Sequence, residues 1–273
     1  MAADSGRTHK SQVRAQARAQ AQVLREQQEQ AERRRKITRR ALIGGGAVAA
    51  AGAVAGLVYW DNSTTGTSVP SQAAADASLT FGKGFLPGTT NDGAKVLDVY
   101  FDYSCSHCAS FDVLHEEEVR TLVEEGVVTL ALHPCKILGQ PWTDIALNTL
   151  GVVLEHEPDK AYAYHNAVFE LYLDAAQKKS GENLNLAGLK KAAEGVGISG
   201  KTVAGFDNAV SKNRFEAWIE AGTKTFADKG FTGTPVVAYD GKVLELAAVA
   251  SPTGLTDQIR SADGAATPGA VAP

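Results

Sequence analysis

The tetrapeptide Cys105-Ser106-His107-Cys108 stands where an apolar strand meets a helix, and that junction constrains the fold more tightly than any other part of the chain. Ahead of it runs Val96-Leu97-Asp98-Val99-Tyr100-Phe101; behind it Phe111, Val113, Leu114, Val119, Leu122 and Val123 make the apolar set of a helix that stops at Gly126. Cysteines spaced in this way lie one helical turn apart, with the first at the helix N-terminus. Unpaired N–H groups and the positive end of the helix dipole favour an anion there. The attacking species in disulfide exchange is the thiolate, so Cys105 is the expected nucleophile and Cys108 the shielded resolving thiol. An imidazolium at His107 is expected to stabilise the thiolate further, and Ser106 shares the same turn as a candidate catalytic residue. Cys-X-X-Cys proteins span thiol pKa values from ~7 to ~3.5, a range worth roughly 5 kcal/mol, and a more stable thiolate makes the disulfide a stronger oxidant.

The same spacing also opens zinc sites, and His133-Pro134-Cys135 offers two further ligands. Structural zinc cysteines usually sit in Gly-rich knuckles, whereas this pair follows a strand. That context favours redox chemistry with no metal, and no flavin or nucleotide motif appears, so no cofactor is expected.

Charge is unevenly placed. The first 60 residues hold 11 of the 27 Lys and Arg but 4 of the 31 Asp and Glu, so the remainder is acidic by 11. An acidic body argues against nucleic-acid binding. Arg33 to Arg40 is strongly basic, and Ala41 to Trp60 follows as 20 residues without a charge, seven of them Ala and five Gly. As a helix this run is ~30 Å long, the thickness of a bilayer core. Basic residues on its N-terminal side hold that end in the cytoplasm and put the acidic body outside, with Tyr59 and Trp60 at the interface. Thr38-Arg39-Arg40-Ala41-Leu42-Ile43 leaves a twin-arginine export signal as the alternative. The expected organisation is a basic tail over 1–40, a membrane anchor over 41–60, a linker over 61–78, one folded domain over 79–262 and a disordered tail over 263–273. A domain outside the membrane lies where disulfides form and persist.

Within the domain, Leu79 to Phe81 reads as an edge strand, Val96 to Phe101 as a central strand and Val127 to Leu132 as a second, buried parallel one. A helical insert over about 142–228 follows, broken at Pro158, Gly181 and Gly195 to Gly200. Tyr162, His165, Phe169 and Tyr172 share one face of its second helix. Thr232 to Tyr239, the turn Asp240-Gly241 and Val243 to Leu246 read as a β-hairpin, and Thr253 to Ser261 as a closing helix. This order is that of an α/β thioredoxin fold with a helical subdomain inserted between the second central strand and the hairpin.

The chain resembles the DsbA-like thiol–disulfide oxidoreductases in their membrane-anchored Gram-positive form. Phe101 to Cys108, Tyr164-His165-Asn166-Ala167-Val168-Phe169 and Gly233-Thr234-Pro235 carry the resemblance, in the expected order. It implies a cis peptide at Pro235 against the cysteine pair and a substrate strand pairing with the backbone of Thr234. It also implies an oxidase of unfolded or reduced exported proteins, reoxidised by a quinone-linked membrane partner. Two alternatives stay open. One is a reductase or isomerase of the same fold; the other is a tethered, non-catalytic domain that binds zinc or a partner. The family often has a buried carboxylate six residues before the first cysteine, and Val99 stands there instead. Asp98 is turned to the other face by strand alternation, so either Asp102 is the proton relay, through water, or the proton goes directly to solvent. Cys135 reads as a small buried residue at a strand end, and His165 as a packed histidine of the insert.

Overall fold

Five strands build one mixed sheet in the computed structural model, which describes residues 67–264. They are β1 (Leu79–Phe81), β2 (Lys95–Phe101), β3 (Val128–Pro134), β4 (Val236–Tyr239) and β5 (Lys242–Val243), arranged β1-β3-β2-β4-β5. β2 and β3 run parallel with Val99 opposite Leu132, and every other pairing is antiparallel. β3 is buried at each residue, as a parallel strand covered on both faces must be, and this is why it reads as a near-continuous apolar run.

Helix α1 (Ser106–Glu124) makes the crossover from β2 to β3. Gly126 ends it in the left-handed conformation, φ +79°. Its N–H reaches Val123 O at 3.0 Å while that of Val127 reaches Leu122 O at 2.9 Å, so the last carbonyls of the helix are satisfied in a Schellman arrangement.

The insert comprises α2 (Pro141–His156), α3 (Ala161–Lys178), α4 (Leu186–Gly195), α5 (Gly200–Val203), α6 (Phe206–Ser211) and α7 (Glu216–Asp228). Pro141 opens α2 at its first turn, where a missing N–H costs nothing. α2 is buried without a break from Ala146 to Leu154, which makes it the centre of the insert. Among the expected breaks, Pro158 starts a single 3-10 turn, Pro158–Lys160. Asn185 and Ser199 cap α4 and α5 by accepting from Gly188 N and Thr202 N. α3 lies along α1 and turns Tyr162, His165 and Phe169 inward, as their spacing predicts.

Several boundaries differ from expectation, β3 running on to Pro134 among them, and two bear on the packing. The second hairpin strand is Lys242–Val243 alone, because the chain then turns into a 3-10 segment, Leu246–Val249. That turn buries Val249 and brings its carbonyl to His115 Nε2 at 2.8 Å, a contact with α1 that a longer edge strand could not make. Asp240 and Gly241 both have positive φ, the conformation that suits a two-residue hairpin turn. Secondly, α8 (Gly254–Gly264) runs past Ser261.

The end of the segment read as a linker packs on the domain. Trp218 Nε1 donates to Ala77 O at 2.9 Å, Thr225 Oγ1 to Asp76 O at 2.9 Å and Gln72 Nε2 to Leu154 O at 2.8 Å. The basic tail over 1–40, the anchor over 41–60, the start of the linker and the tail beyond 264 lie outside the described residues. Among the described residues no helix is long and apolar enough to cross a membrane.

Candidate active site

Cys105 is the N-cap of α1, and its extended backbone turns the sulfur back over the helix mouth, where Cys108 N donates to it at 3.4 Å. Both cysteines are free thiols, 6% and 2% exposed. The Cys108 thiol, donating to the sulfur of Cys105, is the largest of the effects that bring the Cys105 thiol down to about 5. Burial opposes this shift, while the Thr234 hydroxyl and the backbone N–H groups of Cys108 and His107 add to it. The His107 residue thus contributes its backbone N–H; its side chain and that of Ser106 are exposed on the first turn. Cys108 moves the opposite way: burial, then the hydrogen bond and charge of Cys105, push its thiol far above the ordinary range. One helical turn therefore holds a ready thiolate and a firmly protonated partner.

The Thr234–Pro235 peptide is cis. It brings Thr234 against the site, so that Cys105 Sγ as a thiol donates to Thr234 O at 3.2 Å. Thr234 Oγ1 is buried and has no other hydrogen-bond partner among the described residues, which leaves its proton to the sulfurs.

Asp102 is fully buried, and among the described residues its carboxylate accepts from no thiol directly. Oδ1 accepts from Ser104 N at 2.9 Å and from the Thr143 hydroxyl; Oδ2 accepts from Ile137 N and Leu138 N, both at 2.9 Å. None of its four donors is a cysteine. The carboxylate instead fastens the loop after β3 and the first turn of α2 to the approach to Cys105.

Sequence reasoning missed the insert's share of the site. Thr143 Oγ1 lies 2.7 Å from Ser104 Oγ, and Tyr172 donates its hydroxyl to Ser104 O at 2.6 Å. Burial, followed by the negative charge of Cys105 and Asp102, raises the Tyr172 phenol. The helical face containing Tyr172 is legible from its spacing, but nothing local shows that the phenol reaches the residue before the nucleophile.

The remaining candidates fall elsewhere. Asp98 is indeed on the opposite face, with Oδ1 2.8 Å from His133 Nε2, and the His133 ring stacks on Tyr100 at 4.0 Å. Cys135 is buried against Tyr100 and Phe226 and donates to Phe101 O at 3.2 Å. Burial raises its thiol, with the charges of Asp102 and Cys105 adding to the effect. Among the described residues no cluster of three or more His, Cys, Asp or Glu side chains is arranged to hold a metal. His165 is packed, as expected, yet it also bonds on both sides: Tyr103 O–H to Nδ1 at 2.8 Å and Nε2 to Asp112 Oδ1 at 3.1 Å.

A protein-family model described as thioredoxin matches residues 89–257. Among solved structures, the chain is 39% identical to the MdbA protein, a thiol–disulfide oxidoreductase from Actinomyces oris, over 76% of this chain and 97% of that one, with a TM-score of 0.67. The fold alone is shared with BdbD from Bacillus subtilis, at 17% identity, 71% and 97% coverage and a TM-score of 0.56. It is likewise shared with MdbA from Corynebacterium diphtheriae, at 18% identity, 70% and 91% coverage and a TM-score of 0.54. No curated protein matches. A thiolate at a helix mouth, a buried thiol one turn behind it and a cis-proline across from both are thus found on the matching fold, and the chain belongs to the thioredoxin family as a thiol–disulfide oxidoreductase of the DsbA and MdbA type.

Proposed function

We propose that the chain is an extracytoplasmic oxidase that gives a Cys105–Cys108 disulfide to exported proteins as they fold. The observation that carries this reading is the placement of the two thiols: Cys105 caps α1 with the N–H of Cys108 on its sulfur at 3.4 Å, while Cys108 is buried one turn behind it, an arrangement that lowers the first thiol and raises the second. A stabilised thiolate in the reduced enzyme makes its disulfide a strong oxidant. A substrate thiolate attacks Cys105 Sγ, the Cys105–Cys108 bond breaks, and Cys108 leaves and takes up a proton. A second substrate thiol, losing its proton, then attacks the mixed disulfide at the substrate sulfur and expels Cys105 as thiolate. Two electrons pass from substrate to enzyme, and a quinone-linked membrane partner removes them. The Thr234 backbone, whose oxygen lies 3.2 Å from Cys105 Sγ, supports a substrate chain lying extended beside the sulfurs.

Placement outside the membrane rests on the basic run before Ala41 to Trp60, which functions here as a single-pass anchor, and on the persistence of disulfides in that compartment. The redox potential against glutathione tests the oxidase reading. A value at or above ~−180 mV is expected, and one near the ~−270 mV of thioredoxin overturns it in favour of a reductase. Protease digestion of intact cells tests the placement, since a domain protected until the cells are lysed lies on the other side.

A further inference from the structure

The imidazole of His133 is buried on β3 with one of its two nitrogens unused. Its side chain is 5% exposed, and Nε2 lies 2.8 Å from Asp98 Oδ1. A carboxylate only accepts, so Nε2 carries the ring proton, and Nδ1 of the neutral ring is a bare lone pair. Nδ1 is buried and has no hydrogen-bond partner among the described residues. It faces a second carboxylate instead, Asp76 Oδ2 at 3.9 Å.

Asp76 belongs to the strap over 68–78 that packs on the domain. Neutral hydrogen bonds hold that strap: Ser68 N to Arg214 O at 3.1 Å, Gln72 Nε2 to Leu154 O at 2.8 Å, and Thr225 Oγ1 to Asp76 O and Trp218 Nε1 to Ala77 O at 2.9 Å. Within it, Ala74 N reaches Ser78 O at 2.8 Å and Ala77 N reaches Ala74 O at 2.9 Å. Asp76 Oδ1 accepts from the N–H and the hydroxyl of Ser78, at 3.1 and 2.6 Å, which leaves Oδ2 for His133. Burial works against the ionised carboxyl, yet the hydroxyl and N–H of Ser78, and after them the charge of His133, hold it below its ordinary value. Asp76 is therefore an anion wherever an imidazole titrates. Across the neutral ring, a lone pair and a carboxylate face one another with no proton to share. On the charged ring Nδ1–H is a donor, and an approach of about 1 Å makes a charge-assisted hydrogen bond.

We propose that His133 is an acid-closed latch for the strap: a proton on Nδ1 draws in Asp76 and fastens the segment to the sheet, and loss of that proton loosens it. The groups that face the ring are Asp98 and Tyr100 from β2 and Asp76 from the strap, with Lys229, just past α7, 6.0 Å over the Tyr100 ring. Burial, then the charges of Asp98 and Asp76, raise the Tyr100 phenol, so it stays neutral while the imidazole titrates. The strap is the stretch through which the domain joins the proposed anchor, so its loosening lengthens the tether; the latch itself does not depend on that anchor.

The full-length protein, with isotope-labelled histidine, is titrated by NMR from pH 5 to 9, the His133 ring being assigned through its contact with Tyr100. Amide exchange of the Ala74 and Ala77 N–H groups is followed by mass spectrometry over the same range and corrected for the intrinsic rate. Their protection should fall about fivefold as pH rises through the His133 midpoint, the size of effect that a partly exposed ion pair gives. Asp76→Asn is a change at a half-exposed side chain and keeps an oxygen for Ser78. It should abolish the step, hold protection at the high-pH level throughout, and lower the His133 midpoint by about 0.7 pH unit, which is the same fivefold coupling read from the histidine. Protection that is level across the midpoint, a step that survives in Asp76→Asn, or a midpoint that stays in place in that variant overturns the latch. A His133 ring that does not titrate between pH 5 and 9 overturns it as well.

Discussion

Tyr172 donates its hydroxyl to the backbone oxygen of Ser104 at 2.6 Å, tying α3 of the insert to the residue directly before the nucleophile. The insert therefore supports the site as well as enlarging the domain. Tyr172→Phe should cost about 1 kcal/mol, the ordinary worth of a hydrogen bond, in urea denaturation of the reduced protein. The thiolate of Cys105 draws on other donors, so its absorbance titration should keep its midpoint within about half a pH unit.

Asp102 is a sharper case, because four donors converge on one buried carboxylate. Asp102→Ala leaves the N–H groups of Ser104, Ile137 and Leu138 and the Thr143 hydroxyl without their acceptor. The expected loss is on the order of 3 kcal/mol or more, measured by equilibrium unfolding. A variant of unchanged stability that instead alters the pH profile of mixed-disulfide resolution would make Asp102 a proton relay and not a fastening.

These two residues mark how far the sequence could be read. The strand–Cys-X-X-Cys–helix junction is local, so Val96 to Val123 announces itself, whereas the cis peptide at Pro235 is implied by the family resemblance that Gly233-Thr234-Pro235 helps to carry, since the residues alone also fit an ordinary turn proline. What Asp102 does is set by Ile137, Leu138 and Thr143, which lie 35, 36 and 41 positions away, and no periodicity encodes such a meeting. The hairpin illustrates a different limit. Val243 to Leu246 has strand composition, but β5 gains only an edge, and burial of Val249 with its bond to His115 outweighs further pairing.

Gly222 on α7 records a close approach between the insert and the sheet. A Cβ built there falls 2.1 Å from Pro134 O, at the end of β3 and next to Cys135. Backbone is what it meets, so no side chain can swing aside. Gly222→Ala should destabilise by about 1–3 kcal/mol, as overpacking does, with a matching fall in urea midpoint. Gly195→Ala, where a Cβ meets open space, is the control and should be neutral or slightly stabilising.

The pH dependence of the couple follows from the lowered thiol of Cys105, about 5 in the folded reduced protein against ~8.5 in an unfolded chain. A depressed acid stabilises the fold fully above its unfolded value and loses that benefit as pH falls through the folded one. Reduced protein should therefore gain stability over oxidised protein as pH rises from 5 to ~8.5, by up to ~1.4 kcal/mol per unit, and gain no more beyond. The reduction potential carries the same signature. Below pH 5 reduction takes up two protons, and above it one, because Cys105 stays ionised while Cys108 does not. Each proton on a two-electron couple is worth ~30 mV per pH unit, so the slope should relax from ~−59 to ~−30 mV per unit across pH 5. Titration against glutathione from pH 4 to 8 measures it; a constant ~−59 mV slope through pH 7 means that Cys105 is protonated at neutrality and that the helix mouth does not hold a thiolate.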